Sequence, residues 1–120
     1  MQLKNNGSTD INSFTISYDV EKYRKGSNPE GFTIQMYYST NGTSWTTAGN
    51  DFKTSFTQDV DNKGFSPVPD PVVSITNKTL NQTIAPNGFL YLAWNYSVTS
   101  GNTTSNAQAL GIDNVSITAN

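Results

Sequence analysis

From Ile11 to Val20 the chain alternates, with Phe14, Ile16, Tyr18 and Val20 set against Ser13, Thr15, Ser17 and Asp19. A two-residue period is what a strand needs to place one face on a core, and a helix would scatter the same residues around its axis. Phe32, Ile34, Met36 and Tyr38 repeat the period, as do Leu90, Leu92, Trp94 and Tyr96 against Phe89, Tyr91, Ala93 and Asn95. Asn41-Gly42 is a strong hairpin signal, with a returning strand expected around Trp45. Val72–Ile75 and Thr79–Ile84 read as two short strands parted by a turn at Asn77-Lys78, and Asn50–Phe56 as a weaker edge segment. Asp59–Pro71, with Gly64 and three prolines, reads as a long surface connection. Eight or nine short strands without a helical period predict an all-β antiparallel sandwich or barrel, one domain over residues 1–120.

The closing segment adds a finer constraint. Leu110 and Ile112 sit at even positions, whereas Val115 and Ile117 sit at odd ones. Keeping both pairs on the core side requires one extra residue near Asp113-Asn114, which predicts a bulge. Asp113 is therefore re-aimed, either to cap local amides or to serve as an oxygen ligand for structural calcium, which takes six to eight such ligands. Asn5, Asn6 and Asp10 would add oxygens to that site if the first strand lay beside the last.

The chain has no cysteine and no histidine, which removes disulfide frameworks, thiol nucleophiles, the usual zinc sites and imidazole triads. Its formal net charge is -2, and its seven basic residues are scattered along the sequence. That distribution offers no footprint for nucleic acid, and no apolar run approaches the length needed for membrane insertion. With 13% charged residues and abundant Asn, Thr and Ser, the surface is built from neutral hydrogen-bonding groups. Such a surface suits a module excised from a larger secreted protein. No two of its acids form a catalytic signature, so the expectation is a protein that is not an enzyme.

The aromatic residues exceed what a minimal core requires. If Tyr38 and Trp94 face inward, Tyr37 and Tyr91 face outward beside Gln35, Ala93 and Asn95, forming a sheet face able to stack on and hydrogen-bond to sugar rings. Glu21-Lys22-Tyr23-Arg24 offers a second patch, with Tyr23 as its ring and a local Glu21–Arg24 ion pair as the simpler alternative. Trp45, in Ser39-Thr40-Asn41-Gly42-Thr43-Ser44-Trp45, belongs to a segment similar to the turn of sialidase-type Asp-box hairpins, one residue shorter, and its ring is expected to pack on its own hairpin. The candidate contacts are thus Tyr37, Tyr91, Asn95, Tyr23, Trp45 and Gln35, with Asp113 for the metal.

Three segments together form a wider pattern: Leu3–Ser8 followed by Ile11–Tyr18, then Glu21–Arg24, then Ala109–Ile117. The pattern resembles the accessory β-sandwich domains of secreted hydrolases and nucleases of Gram-negative bacteria, with Tyr23 where those domains usually carry Trp and Ala93 where they often carry Arg. The ending also resembles that of jelly-roll carbohydrate-binding modules, in which the matching Asp ligates calcium. The resemblance implies a jelly-roll sandwich, secreted or at the bacterial cell surface. It would bind a polysaccharide or oligosaccharide and hold a catalytic domain of the same parent chain near it. The rival expectation is a structural spacer or adhesion sandwich without a sugar site.

Overall fold

The computed structural model describes residues 1–120 and contains no α-helix. Its strands are β1 (Gln2–Lys4), β2 (Ile11–Arg24), β3 (Phe32–Ser39), β4 (Thr46–Thr47), β5 (Lys53–Phe56), β6 (Val72–Ile84), β7 (Phe89–Val98) and β8 (Ala109–Ala119), with one 3-10 turn at Asn50–Phe52. Two antiparallel sheets result: β1-β7-β3-β4, with β5 also on β3, and β6-β2-β8. The sandwich is all-β, as the alternation requires.

The alternating residues meet between the sheets. Phe14, Ile16, Tyr18 and Val20 from β2 pack against Ile34, Met36, Leu90 and Leu92 from the facing sheet. Tyr18 ties the layers together, its hydroxyl donating to Phe52 O at 3.2 Å and its ring meeting Trp94 edge to face at 5.5 Å. Burial pushes the Tyr18 hydroxyl pKa up to about 12, so this contact stays protonated through the physiological range. The molecule is a plate of 53 × 28 × 19 Å. Its radius of gyration of 16.2 Å exceeds the roughly 14 Å of a compact chain of this length.

The closing strand carries the expected bulge. Ser17 pairs with Ser116 and Asp19 with Asp113, so two residues of β2 span three of β8. Asn114 takes a positive φ of 53° there, and Leu110, Ile112, Val115 and Ile117 all pack on the core. β6 corrects the sequence reading: Val72–Ile75 and Thr79–Ile84 are one continuous strand, not two. Ile16 pairs with Lys78 and Tyr18 with Ile75, so a second bulge shifts parity between Ile75 and Leu80. Its pivot is Asn77, at φ 51°.

Both bulges flank the same stretch of β2, whose outward side chains fasten them. Asn77 N–H donates to Ser17 Oγ at 2.8 Å, while Asp19 accepts from Ser74 Oγ at 2.6 Å and from Asn114 Nδ2 at 2.7 Å. Those two donors hold the Asp19 carboxyl below its usual value. Asn tolerates the left-handed region where a β-branched residue does not. Asn114→Val is therefore expected to cost about 1–2 kcal/mol, and Asn114→Gly much less, in urea denaturation.

The hairpin expected at Asn41-Gly42 joins β3 to β4 through a loop longer than a two-residue turn. Tyr38 pairs with Thr46, and the intervening loop is organised by one side chain. Asn41 Oδ1 accepts from Thr43 N at 2.9 Å, Ser44 N at 2.8 Å, Thr43 Oγ1 at 3.0 Å and Ser39 Oγ at 3.0 Å. An Asx-type anchor of this kind lets a longer loop hold one shape.

Candidate functional site

The outer face of the larger sheet is set by the residues that alternate with its core. On β3 and β7 these are Thr33, Gln35, Tyr37 and Ser39 beside Tyr91, Ala93, Asn95 and Ser97, and the register places Tyr37 opposite Ala93 and Gln35 opposite Asn95. Tyr37, Trp45, Ala93 and Asn95 line a shallow depression of about 350 Å³ on this face. Ala93 is the floor: a small residue opposite Tyr37 leaves room beside the ring that a larger one would fill. Trp45 is 43% exposed and shares the depression with Tyr37, a residue of its own β3–β4 hairpin.

The candidate residues fall into two groups. Tyr37, Trp45 and Asn95 share the depression, and Tyr91 and Gln35 flank it in supporting roles. Tyr91 lies two positions along β7 from Ala93, its hydroxyl accepting from Gln2 Nε2 at 3.3 Å and its ring beneath Gly42, where a Cβ would sit 3.4 Å from it. Gln35 Nε2 donates to Met36 O and Gly49 O, each at 3.0 Å, and so holds the segment after β4 against the sheet. Tyr23 and Asp113 belong to the other sheet. The sequence placed Ala93 on this face and Asn41 at the hairpin; that Ala93 lines the depression and that Asn41 anchors the loop emerge only from the fold.

At the second location, Tyr23 is already engaged. Its ring stacks on Phe65 with centroids 5.8 Å apart and its hydroxyl donates to Glu21 Oε2, a bond that raises the hydroxyl pKa. The anticipated Glu21–Arg24 ion pair is absent: Glu21 bonds Tyr23, and the buried pair is Lys22–Asp59 at 2.8 Å. β2 is still extended at Glu21, so Glu21 and Arg24 project to opposite sides.

Asp113 Oδ1 accepts from Asn114 N–H at 2.8 Å, which is the capping arrangement expected of a bulge acid. Asn5, Asn6 and Asp10 do not approach it, because β1 pairs with β7 rather than with β8. Asp10 precedes β2, nine positions from Asp19 and about 30 Å away at the 3.3 Å rise of a strand. Asn5 instead closes its own turn, donating to Thr9 O at 2.8 Å and Ile84 O at 2.9 Å. No three His, Cys, Asp or Glu side chains converge anywhere in the chain. Asp19 pairs with Asp113 across β2 and β8, and its carboxylate already accepts from Ser74 and Asn114; calcium at Asp113 would draw further oxygens from backbone carbonyls and water.

The outer face is therefore partly aromatic and rich in amide and hydroxyl groups, with Lys53 opposite Gln35 and Lys4 opposite Phe89 at its margins, and is fit for stacking and hydrogen bonding. No protein-family model matches the sequence, and neither the curated proteins nor the solved structures include a match.

Proposed function

We propose that this sandwich is a non-catalytic carbohydrate-binding module of the jelly-roll kind, acting in a secreted or cell-surface bacterial protein to hold an attached catalytic domain near a polysaccharide. The observation that carries this reading is the depression in which Trp45 stands exposed beside Tyr37 over Ala93, with Asn95 at its margin. Each ring contributes on the order of 1 kcal/mol in stacking. Individual sites of that strength are weak, and tethering converts weak contacts into a raised local concentration of the enzyme.

Affinity electrophoresis on a panel of plant, algal and host polysaccharides tests the proposal. The native chain is expected to be retarded by at least one neutral polysaccharide, and Tyr37→Ala to weaken that retardation about fivefold, the equivalent of roughly 1 kcal/mol, with an unchanged melting temperature. Equal retardation of both proteins would remove the site, and no retardation on any polysaccharide would remove the function. The plate's 53 Å length favours the spacer as the second reading, and a chain that binds nothing while separating two neighbouring domains would establish it.

Structural calcium held through Asp113 belongs to the same proposal. Because a ligand of the native state raises stability, adding a chelator should lower the melting temperature of the native chain and leave Asp113→Ala unaffected. A melting curve that ignores both calcium and chelator would exclude the metal.

A further inference from the structure

The fold brings Lys63 to the basic residues clustered at the end of β2. Lys22, Arg24, Lys25 and Lys63, four of the seven in the chain, line one cavity of about 250 Å³, and Asp70 is the sole acid among its lining residues. It forms where the end of β2 meets the connection before β6. Ser66 N–H donates to Tyr23 O at 2.8 Å and Asp70 N–H to Lys22 O at 2.9 Å, so residues 66–70 arch away from the strand between two fixed points. Pro67 and Pro69 restrict the arch further. Neither the depression at Tyr37 nor the face it occupies contributes to this cavity.

The charges here are only partly compensated. Lys22 is neutralised by Asp59, and Lys63 reaches Asp61 only at 3.8 Å, with both side chains exposed. Arg24 and Lys25 enter no ion pair; the chain's one other pair joins Lys78 to Asp51. Holding unpaired cations around a concavity costs electrostatic repulsion that a bound anion relieves, and a concave site focuses their field. Arg and Lys are also the side chains that bind carboxylate, sulfate and phosphate oxygens. At about 30 Å³ per water, the cavity has room for an oxyanion together with part of the group that carries it.

We propose that this cavity is an oxyanion site, taking the carboxylate, sulfate or phosphate group of a ring-sized ligand against Arg24, Lys25 and Lys63. It is independent of the carbohydrate reading and stands if that reading falls. The test is a titration of the full 15N-labelled chain, followed by amide chemical shifts, with sodium sulfate, sodium phosphate and sodium glucuronate, each against glucose and against sodium chloride at matched ionic strength. Saturable shifts at residues 22–25 and 63–70 with an oxyanion, absent with glucose and chloride, are expected. The oxyanion that saturates at the lowest concentration identifies the source. The double variant Arg24→Gln, Lys25→Gln should bind at least fivefold more weakly with an unchanged melting temperature. Shifts that match those of sodium chloride, or an affinity the double variant leaves intact, would overturn the proposal.

Discussion

Replacing Asp59 with alanine is expected to destabilise the fold by about 3–5 kcal/mol, the usual cost of breaking one side of a buried ion pair. Asp59 Oδ1 accepts from Lys22 Nζ at 2.8 Å, and Oδ2 from Gly26 N–H at 2.9 Å and Gln108 Nε2 at 3.0 Å. Lys22 is 5% exposed, so loss of the carboxylate leaves an ammonium inside the sandwich with only the Phe56 ring, 4.9 Å away, as a favourable neighbour. The variant also takes from buried Gln108 one of the two acceptors of its Nε2, leaving only Thr57 O at 2.8 Å. Lys22→Met should cost less, because Asp59 then keeps two of its three donors and the methionine fills the same space. Urea denaturation of the two variants measures the difference, and equal losses would contradict this ordering.

The same carboxylate makes stability depend on pH. Burial pushes the Asp59 carboxyl up, but the Lys22 ammonium, the Gly26 N–H and the Gln108 amide outweigh it and hold the pKa below its ordinary value of 3.8. A group whose pKa is depressed on folding contributes stability above its unfolded value and loses it as the pH falls through the folded one. The native chain should therefore weaken progressively below about pH 4. Asp59→Ala, already destabilised at neutral pH, should show a shallower decline over that range.

Gly31→Ala is expected to be the other severe substitution, at about 3–5 kcal/mol from strain and overlap together. Gly31 immediately precedes β3 at φ 65°, and a Cβ there would sit 2.0 Å from Phe56 O, a backbone atom at the end of β5. Its own backbone is fixed on both sides, N–H to Asn28 O at 3.1 Å and O to Thr99 N–H at 3.1 Å, so the turn cannot swing clear. Gly101 supplies the control: its φ is 67°, and nothing lies within 4 Å of the added carbon. Gly101→Ala should cost only the left-handed strain of about 1–2 kcal/mol. If the two variants melt together, the contact with Phe56 does not limit the fold.

The frame of the sandwich was legible because β2, β3 and β7 each keep a two-residue period long enough to exclude a helix. The bulge in β8 was legible for the same reason, since four apolar residues changed parity around Asp113. The parity change from Ile75 to Leu80 carries the same information. Asn77-Lys78 resembles a turn, however, and Asn adopts the left-handed conformation in turns and bulges alike. Local composition does not separate the two; pairing along β2 does.

The contacts that remained hidden are those between distant segments. Asp59 lies in a stretch of prolines and charges that reads as solvated, and its pairing with Lys22 spans 37 residues. At the arch, Lys22, Arg24 and Lys25 are neighbours in sequence, but Lys63 joins them only when the connection folds back on β2. At the candidate sugar face, the alternation placed Tyr37, Tyr91, Gln35 and Asn95 on one side of the sheet. It carried no information on which rings a loop would cover, and the loop decided that: it shelters Tyr91 with Gly42 and leaves Trp45 exposed.

The indole resonances of the two tryptophans test the sugar face most directly. Trp45 stands in the depression, whereas Trp94 packs against Tyr18 from the inner side of the same sheet, so one molecule contains both the probe and its reference. On titration with soluble oligosaccharides of any polysaccharide that retards the chain, the Trp45 indole N–H should shift saturably while that of Trp94 stays in place. A Trp45 signal that never moves, or moves only in step with Trp94, would contradict carbohydrate binding at this face.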